Sequence, residues 1–339
     1  MEGLPTFRDG DILLTKDHFI FYVFGYDFPP KQVVAYLKYV PKELQSHFQL
    51  AWIPFEWSFN DIKFVRPKKL YSPKNFKEIQ RVFEKEYSEY LFHDPYSGKM
   101  LFVVPTEAIQ QVFVPEVQWQ ELLKKQNPTP LETEAKEIIE FLSQSAVVHL
   151  SDFGIHGSIS TGMSTEESDV DIAIYGGQNY LKVKKAVYEL FKEKKLDYCN
   201  ETTSDEYRMN KCIYKGRKFV FNAIRKQQEI KTRYGQFKYT PVRPIHFHAD
   251  VVESRERMFR PAIYNIEEYF PCDTESLLVQ IYWPTQVVSM IGEFRDIARK
   301  GDEVEVQGML EKVEGTQSRE IFYRVVIGSG AGEEFIWPV

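Results

Sequence analysis

The sequence predicts a mixed α/β (α+β) protein, with a small central mixed sheet covered by helices. An N-terminal mixed α/β region would precede this sheet and a small C-terminal antiparallel sheet or barrel would follow it. Three observations carry that expectation. Helical and strand periodicities interleave between residues 131 and 255, the pattern of a compact α/β unit. Short segments of strict apolar–polar alternation, separated by Gly turns, fill residues 275–339. A polar, proline-bearing stretch, KKQNPTP (124–130), separates the first 125 residues from the rest.

Within residues 1–125, FIFYVFGY (19–26) and KMLFVVP (99–105) read as buried strands. KQVVAYLKYV (31–40) and FKEIQRVFEKEYSEYLF (76–92) read as helices, the second with Phe76, Ile79, Val82 and Phe83 on one side. After the linker, Ala135, Ile138, Ile139 and Leu142 mark an amphipathic helix over about 131–144, with Thr129 or Thr133 as its cap. DVDIAIY (169–175) alternates as a strand. A helix with Leu181, Val183, Ala186, Val187, Leu190 and Phe191 at helical spacing follows it. KFVFNAI (218–224) and PIHFHADVV (244–252) complete a domain of 131–255, and residues 302–313, 319–330 and 333–339 make the C-terminal strands.

At 339 residues the chain can bury a large core without disulfide or metal staples. Its 49 acidic and 43 basic residues, net −6, argue against a uniformly basic nucleic-acid coat. Cys199, Cys212 and Cys272 are odd in number and lack CxxC spacing, so a reducing compartment is expected. The N-terminal MEGLPTFRDGD lacks the order of a signal peptide, and Ser276 to Gly292 is too polar to span a bilayer. A cytoplasmic protein without a membrane partner is the expectation.

The segment that carries chemistry is HGSISTGMSTEESDVDIAIYG (156–176). Asp169 and Asp171 sit two apart on a strand, so their carboxylates share a face. Two neighbouring carboxylates repel unless a cation compensates, and a hard divalent ion such as Mg²⁺ takes oxygen ligands of this kind. Upstream, Gly157 lets the backbone approach a phosphate closely, and Ser158 offers a hydroxyl and an N–H to its oxygens. Metal on one side and donors on the other suits phosphoryl or nucleotidyl transfer.

The apolar-Gly-Ser, variable loop, Asp-Val-Asp-Ile pattern, with a helix before it and a lysine-bearing helix after it, resembles the nucleotidyltransferases of the DNA polymerase beta superfamily. The resemblance covers about residues 131–255. It implies transfer of a nucleoside monophosphate from an NTP to an acceptor hydroxyl, with Gly157 and Ser158 on the triphosphate. Asp169 and Asp171 would hold two Mg²⁺, or Mn²⁺ in their place. It also implies a third carboxylate on a later strand. KFVFNAI offers only the neutral Asn222, whereas IHFHADV offers Asp250 on one face with His246 and His248. Asp250 is the preferred third ligand, with Asn222 the alternative.

Between Asp205 and Ile245 eleven basic residues face three acids, and Tyr207, Tyr214, Tyr234, Phe237 and Tyr239 are interleaved among them. Bases mixed with aromatics suit a nucleic-acid backbone or an NTP. Lys215, Arg217 and Lys218 are the expected triphosphate contacts. The acceptor stays open between an RNA or DNA 3′ end, a small molecule and a protein side chain, with this segment and the C-terminal barrel favouring nucleic acid. A non-catalytic nucleotide- or RNA-binding protein on the same fold is the competing expectation. Neither the role of residues 1–125 nor the oligomeric state is legible.

Overall fold

The computed structural model describes residues 7–70 and 72–339. Residues 1–6, on which part of the N-terminal reading rests, lie outside the described residues. The chain divides into two compact units. The first holds the chain up to Tyr26, then Pro30–Leu91 and Phe102–Ile230; the second holds Asp27–Pro29, Phe92–Leu101 and Lys231–Val339. The fold is mixed α/β, as the periodicities require.

The first unit opens with β1 (Ile12–Thr15), β2 (Ile20–Val23), β3 (Gln32–Pro41), β4 (Trp57–Phe59) and β5 (Ile62–Val65), followed by α1 (Pro73–Glu86). The hairpin of β6 (Leu91–His93) and β7 (Met100–Pro105) lies mostly in the second unit, and the chain returns to the first at Phe102 and continues into β8 (Ile109–Phe113). The main strand order is β4-β5-β3-β2-β1-β8, with β7 also paired to β3. One face packs on α1, where Phe19, Phe21, Phe83 and Tyr90 form a buried aromatic cluster with ring centroids 5.4–6.2 Å apart. Each such ring pair contributes roughly 0.5–1.5 kcal/mol beyond its area burial. The opposite face gathers Ile12, Leu14, Ile20, Tyr22, Tyr39, Phe64 and Phe113, and with them Met163 from the Gly-Ser loop.

Residues 31–40, expected as a helix, form the strand β3. Val33, Ala35, Leu37 and Tyr39 are buried in strict alternation with half-exposed neighbours, a period of two, and the β-branched and aromatic content fits a pleated surface. Apolar positions in a ten-residue run satisfy both periods, and pairing with β2 and β7 decides between them.

The helices α2 (Pro115–Lys124) and α3 (Pro130–Ala146) lead into β9 (Phe153–Ile155), the single turn α4 (Gly157–Ser160) and β10 (Val170–Tyr175). Then follow α5 (Gly177–Lys192), β11 (Asp197–Tyr198), α6 (Thr203–Arg208), β12 (Lys211–Tyr214) and β13 (Arg217–Ile224). Thr129 caps α3 in a reciprocal box with Glu132, as the sequence indicates. The sheet order is β11-β12-β13-β10-β9, with β10 and β13 parallel. Buried residues of α3 and α5 cover one face, where Tyr180 meets Phe221. On the other face Ala173, Tyr175 and Ile224 cluster with Tyr26, which follows β2. The N-terminal sheet and the α/β region are therefore one unit, not two domains meeting at residue 125.

The second unit is built on β14 (Phe237–Glu253), β15 (Ala262–Pro271), β16 (Gln286–Ser289), β17 (Glu303–Gly315), β18 (Ile321–Ile327) and β19 (Phe335–Pro338). The order β14-β15-β16-β18-β17 closes through β14–β17 pairing into a five-stranded barrel, with β19 added on β17. A Cβ at Gly308 would lie 2.7 Å from Val325 and from the Val326 carbonyl, so only glycine lets β17 approach β18 there. The barrel begins at residue 237, not 275. Residues 244–252, expected in the α/β domain, are half of its longest strand, because both edges of β14 pair with barrel strands.

Candidate functional site

The parallel register sets what shares a face. Asp171 pairs with Val220 and Ala173 with Asn222. Asp169, Asp171, Val220, Asn222 and Lys218 therefore lie on the side of β10 and β13 turned away from α3 and α5. Asp169 is exposed and Asp171 half-buried. Gly157 stands directly against Asp171: a Cβ there would fall 2.0 Å from Oδ2, and the residue adopts φ +65°. The His156 N–H donates to the Asp171 carbonyl at 2.8 Å, which ties the Gly-Ser turn to the aspartate strand. The turn is stitched internally as well, the Ser160 and Thr161 hydroxyls donating to the Gly157 and Ser158 carbonyls.

The structure brings two cations of the N-terminal sheet to this point. Lys38 of β3 and Arg66, just after β5, are the groups whose positive field acts on Asp171. Burial pushes the Asp171 carboxyl above its usual range, Asp169 adds to the rise, and Lys38 and Arg66 oppose it. Burial, with the nearby Arg66 charge, lowers Lys38 to about 7, against the pull of Asp171. The Lys38 ammonium lies 3.8 Å from the centre of the Tyr22 ring, whose own centre is 5.1 Å from that of His156. Arg66 hydrogen-bonds Tyr39.

The three basic residues expected on the triphosphate separate. Lys218 stays at the site, 3.8 Å from Asp169 and 2.7 Å from Glu201. Arg217 pairs with Glu134 and donates to the Glu166 and Ser168 carbonyls at 2.8 and 3.1 Å, so it braces the loop entering Asp169. Lys215 is turned onto Glu137 of α3.

For the third carboxylate, β13 offers none. Asn222 is engaged by Arg208 at 3.3 Å and Asn210 at 3.4 Å through its carbonyl oxygen. Asp250 does share an outward face with His246 and His248, but on the barrel of the second unit, in register with Glu303 and Glu267. Those histidines bond Glu305 at 2.7 Å and Glu303 at 3.3 Å. Among the described residues no cluster of three His, Cys, Asp or Glu side chains could hold a metal. The first-unit donor set is thus a pair of carboxylates two residues apart, Asp169 just before β10 and Asp171 within it, which fits a divalent ion that completes its shell with phosphate oxygens and water.

The basic stripe of 205–245 is divided between the units after Ile230. Several of its charges in the first unit are answered by acids: Lys211 by Asp205, Lys215 by Glu137, Arg217 by Glu134, Lys218 by Glu201 and Lys226 by Asp152. No helix of the described residues is long and apolar enough to cross a membrane.

The chain is 23% identical over 343 residues to an uncharacterized protein of Methanocaldococcus jannaschii, covering 95% of each chain. That likeness is end to end. No family model and no solved structure matches. Lys38 and Arg66, which act on Asp171, carry no motif in the sequence. The one local signal is Lys38, set between Leu37 and Tyr39 in the strand β3.

Proposed function

We propose that this protein is an Mg²⁺-dependent nucleotidyltransferase that moves a nucleoside monophosphate from an NTP to an acceptor hydroxyl. The single observation carrying this reading is the contact between Gly157 and Asp171. The Gly-Ser turn and the aspartate pair are separated by ten residues, yet the turn abuts a carboxylate so closely that no side chain fits between them. A phosphate-approaching backbone touching a metal-type carboxylate is what triphosphate chemistry needs. Asp169 and Asp171 would hold the metal, two Mg²⁺ or Mn²⁺, which supplies charge neutralisation at the phosphates. Gly157 and Ser158 lie against the triphosphate and Lys218 beside Asp169. The acceptor oxygen bonds the α-phosphorus and pyrophosphate leaves.

A second reading, a nucleotide-binding protein without turnover, is favoured by one observation. The neighbouring strand β13 places Val220 and Asn222 where the resemblance implies a third carboxylate. Labelled NTP, Mg²⁺ or Mn²⁺ and pooled acceptors separate the two. Transfer that disappears in Asp169→Ala, Asp171→Ala supports the enzyme. Absence of transfer with wild type sinks it, and nucleotide binding that survives chelation then favours the second reading.

A further inference from the structure

The N-terminal sheet contains two cations that ordinary packing does not explain. Lys38 and Arg66 are each half-buried, and among the described residues neither forms an ion pair. Elsewhere in the same unit comparable cations are paired: Arg8 with Glu116, Lys211 with Asp205 and Lys226 with Asp152. Arg66 Nε is shielded from solvent and without a hydrogen-bond partner. Lys38 stands on the Tyr22 ring rather than on a carboxylate, and through Tyr22 and His156 it adjoins the Gly157 turn.

We propose that Lys38 and Arg66 are the anion-binding half of the aspartate site, taking the phosphate oxygens of a metal-bound polyphosphate. The inference rests on the metal-site reading of Asp169 and Asp171 and assigns to residues 1–125 a role in that same site.

Two like charges that act on each other in a half-buried place repel, and a nearby anion offsets that repulsion. Asp171 is the carboxylate in whose field they sit, yet it pairs with neither. Once a divalent ion engages Asp169 and Asp171, that carboxylate charge is spent. Lys38 and Arg66 are then left without a compensating anion, and the phosphate oxygens of a metal-bound polyphosphate answer them. The guanidinium suits bidentate contact with a phosphate, and the ammonium acts as a point charge. The Lys38 ammonium lies 3.8 Å from the centre of the Tyr22 ring and 5.7 Å from that of Tyr39, and Tyr39 also hydrogen-bonds Arg66.

This arrangement makes metal and polyphosphate respond in opposite directions to loss of a cation, which a purely structural role does not. Removing Lys38 deletes a charge that repels the metal and attracts phosphate. Calorimetry on the full chain, with Mn²⁺ alone and with inorganic tripolyphosphate plus Mg²⁺, reads both effects. Lys38→Met and Arg66→Gln are each expected to weaken tripolyphosphate binding by about tenfold or more. Mn²⁺ binding should hold or tighten, and Lys38→Arg should restore most of the phosphate affinity. Circular dichroism identifies a variant that fails to fold, and Lys38→Arg then decides together with the other variant. Unchanged tripolyphosphate affinity in the variants, parallel loss of metal and polyphosphate, or a wild type that binds no polyphosphate overturns the inference. Transfer activity distinguishes the two readings. A wild type that binds tripolyphosphate through Lys38 but transfers nothing defeats the enzyme and leaves this inference standing. A transferring wild type matched by Lys38→Met in KM for NTP does the reverse.

Discussion

At Gly157 one methyl group decides whether the aspartate site can exist. Alanine would put Cβ 2.0 Å from the Asp171 Oδ2 and hold φ at +65°, a left-handed conformation that costs an L-residue about 1–2 kcal/mol. The carboxylate would have to swing out of line with Asp169. Gly157→Ala is therefore expected to remain folded, to lose Mn²⁺ affinity by about tenfold or more in calorimetry, and to lose transfer. A variant with wild-type metal affinity would show that the turn does not position Asp171. That Asp169 and Asp171 share a face is legible in the sequence, because residues i and i+2 of an extended chain point the same way whatever else the fold does. Lys38 and Arg66 are not, since they reach Asp171 from more than a hundred residues away along the chain.

At the scale of elements, β3 shows how a short apolar run misleads and how sheet pairing settles it. Alternation in Val33, Ala35, Leu37 and Tyr39 was present, but KQVVAYLKYV also satisfies a helical spacing. The strands β10 and β13, α3 with its Thr129 cap, and α5 were legible because each carries a longer pattern or a capping signal. The alternation in β14 shows a strand, yet it sits in the barrel rather than in the α/β sheet, because alternation fixes which residues share a face and says nothing about which strands lie alongside. The same distinction bears on the third carboxylate. Val220, in register with Asp171 on a neighbouring strand about 4.8 Å away, is the position from which a carboxylate reaches the pair. Asn222 lies two residues on, and its carbonyl oxygen accepts from Arg208 and Asn210. Val220→Asp is accordingly expected to raise Mn²⁺ affinity by about tenfold and to lower the metal-free melting temperature, because three clustered carboxylates repel. Asn222→Asp is expected to leave Mn²⁺ affinity within about twofold, its carboxylate pairing with Arg208 instead. Calorimetry and thermal melts check both, and a stronger gain at Asn222 than at Val220 would contradict the register argument.

Over the whole molecule the net −6 is a sum of unequal parts, and the structure divides it differently from the sequence. The basic stripe of 205–245 pointed to nucleic acid when read as a continuous wall. Folding breaks that wall between two units and sets acids from α3, from Glu201 and from Asp152 against its lysines and arginines. The barrel that made an oligonucleotide plausible belongs to a unit with 14 basic and 19 acidic residues. Its outward face pairs His246 and His248 with Glu305 and Glu303. Phosphate-backbone binding depends on uncompensated Lys and Arg that displace counterions, each contact steepening the salt dependence. Charges already engaged by carboxylates contribute little to that term. Lys38 and Arg66, which form no ion pair among the described residues, act on Asp171, and the proposed site takes a few phosphates rather than a long strand. The protein is therefore expected to bind single-stranded RNA and DNA 20-mers no more tightly than the roughly 10⁻⁴–10⁻⁶ M of non-specific association at physiological salt. The dependence on salt should be shallow, while Mg²⁺-tripolyphosphate binds through Lys38. Fluorescence anisotropy across a salt series reads it. Tight binding with a steep slope, lost when Lys231, Arg233 and Lys238 are neutralised, would return the basic stripe to the centre of the function and a nucleic acid to the place of acceptor.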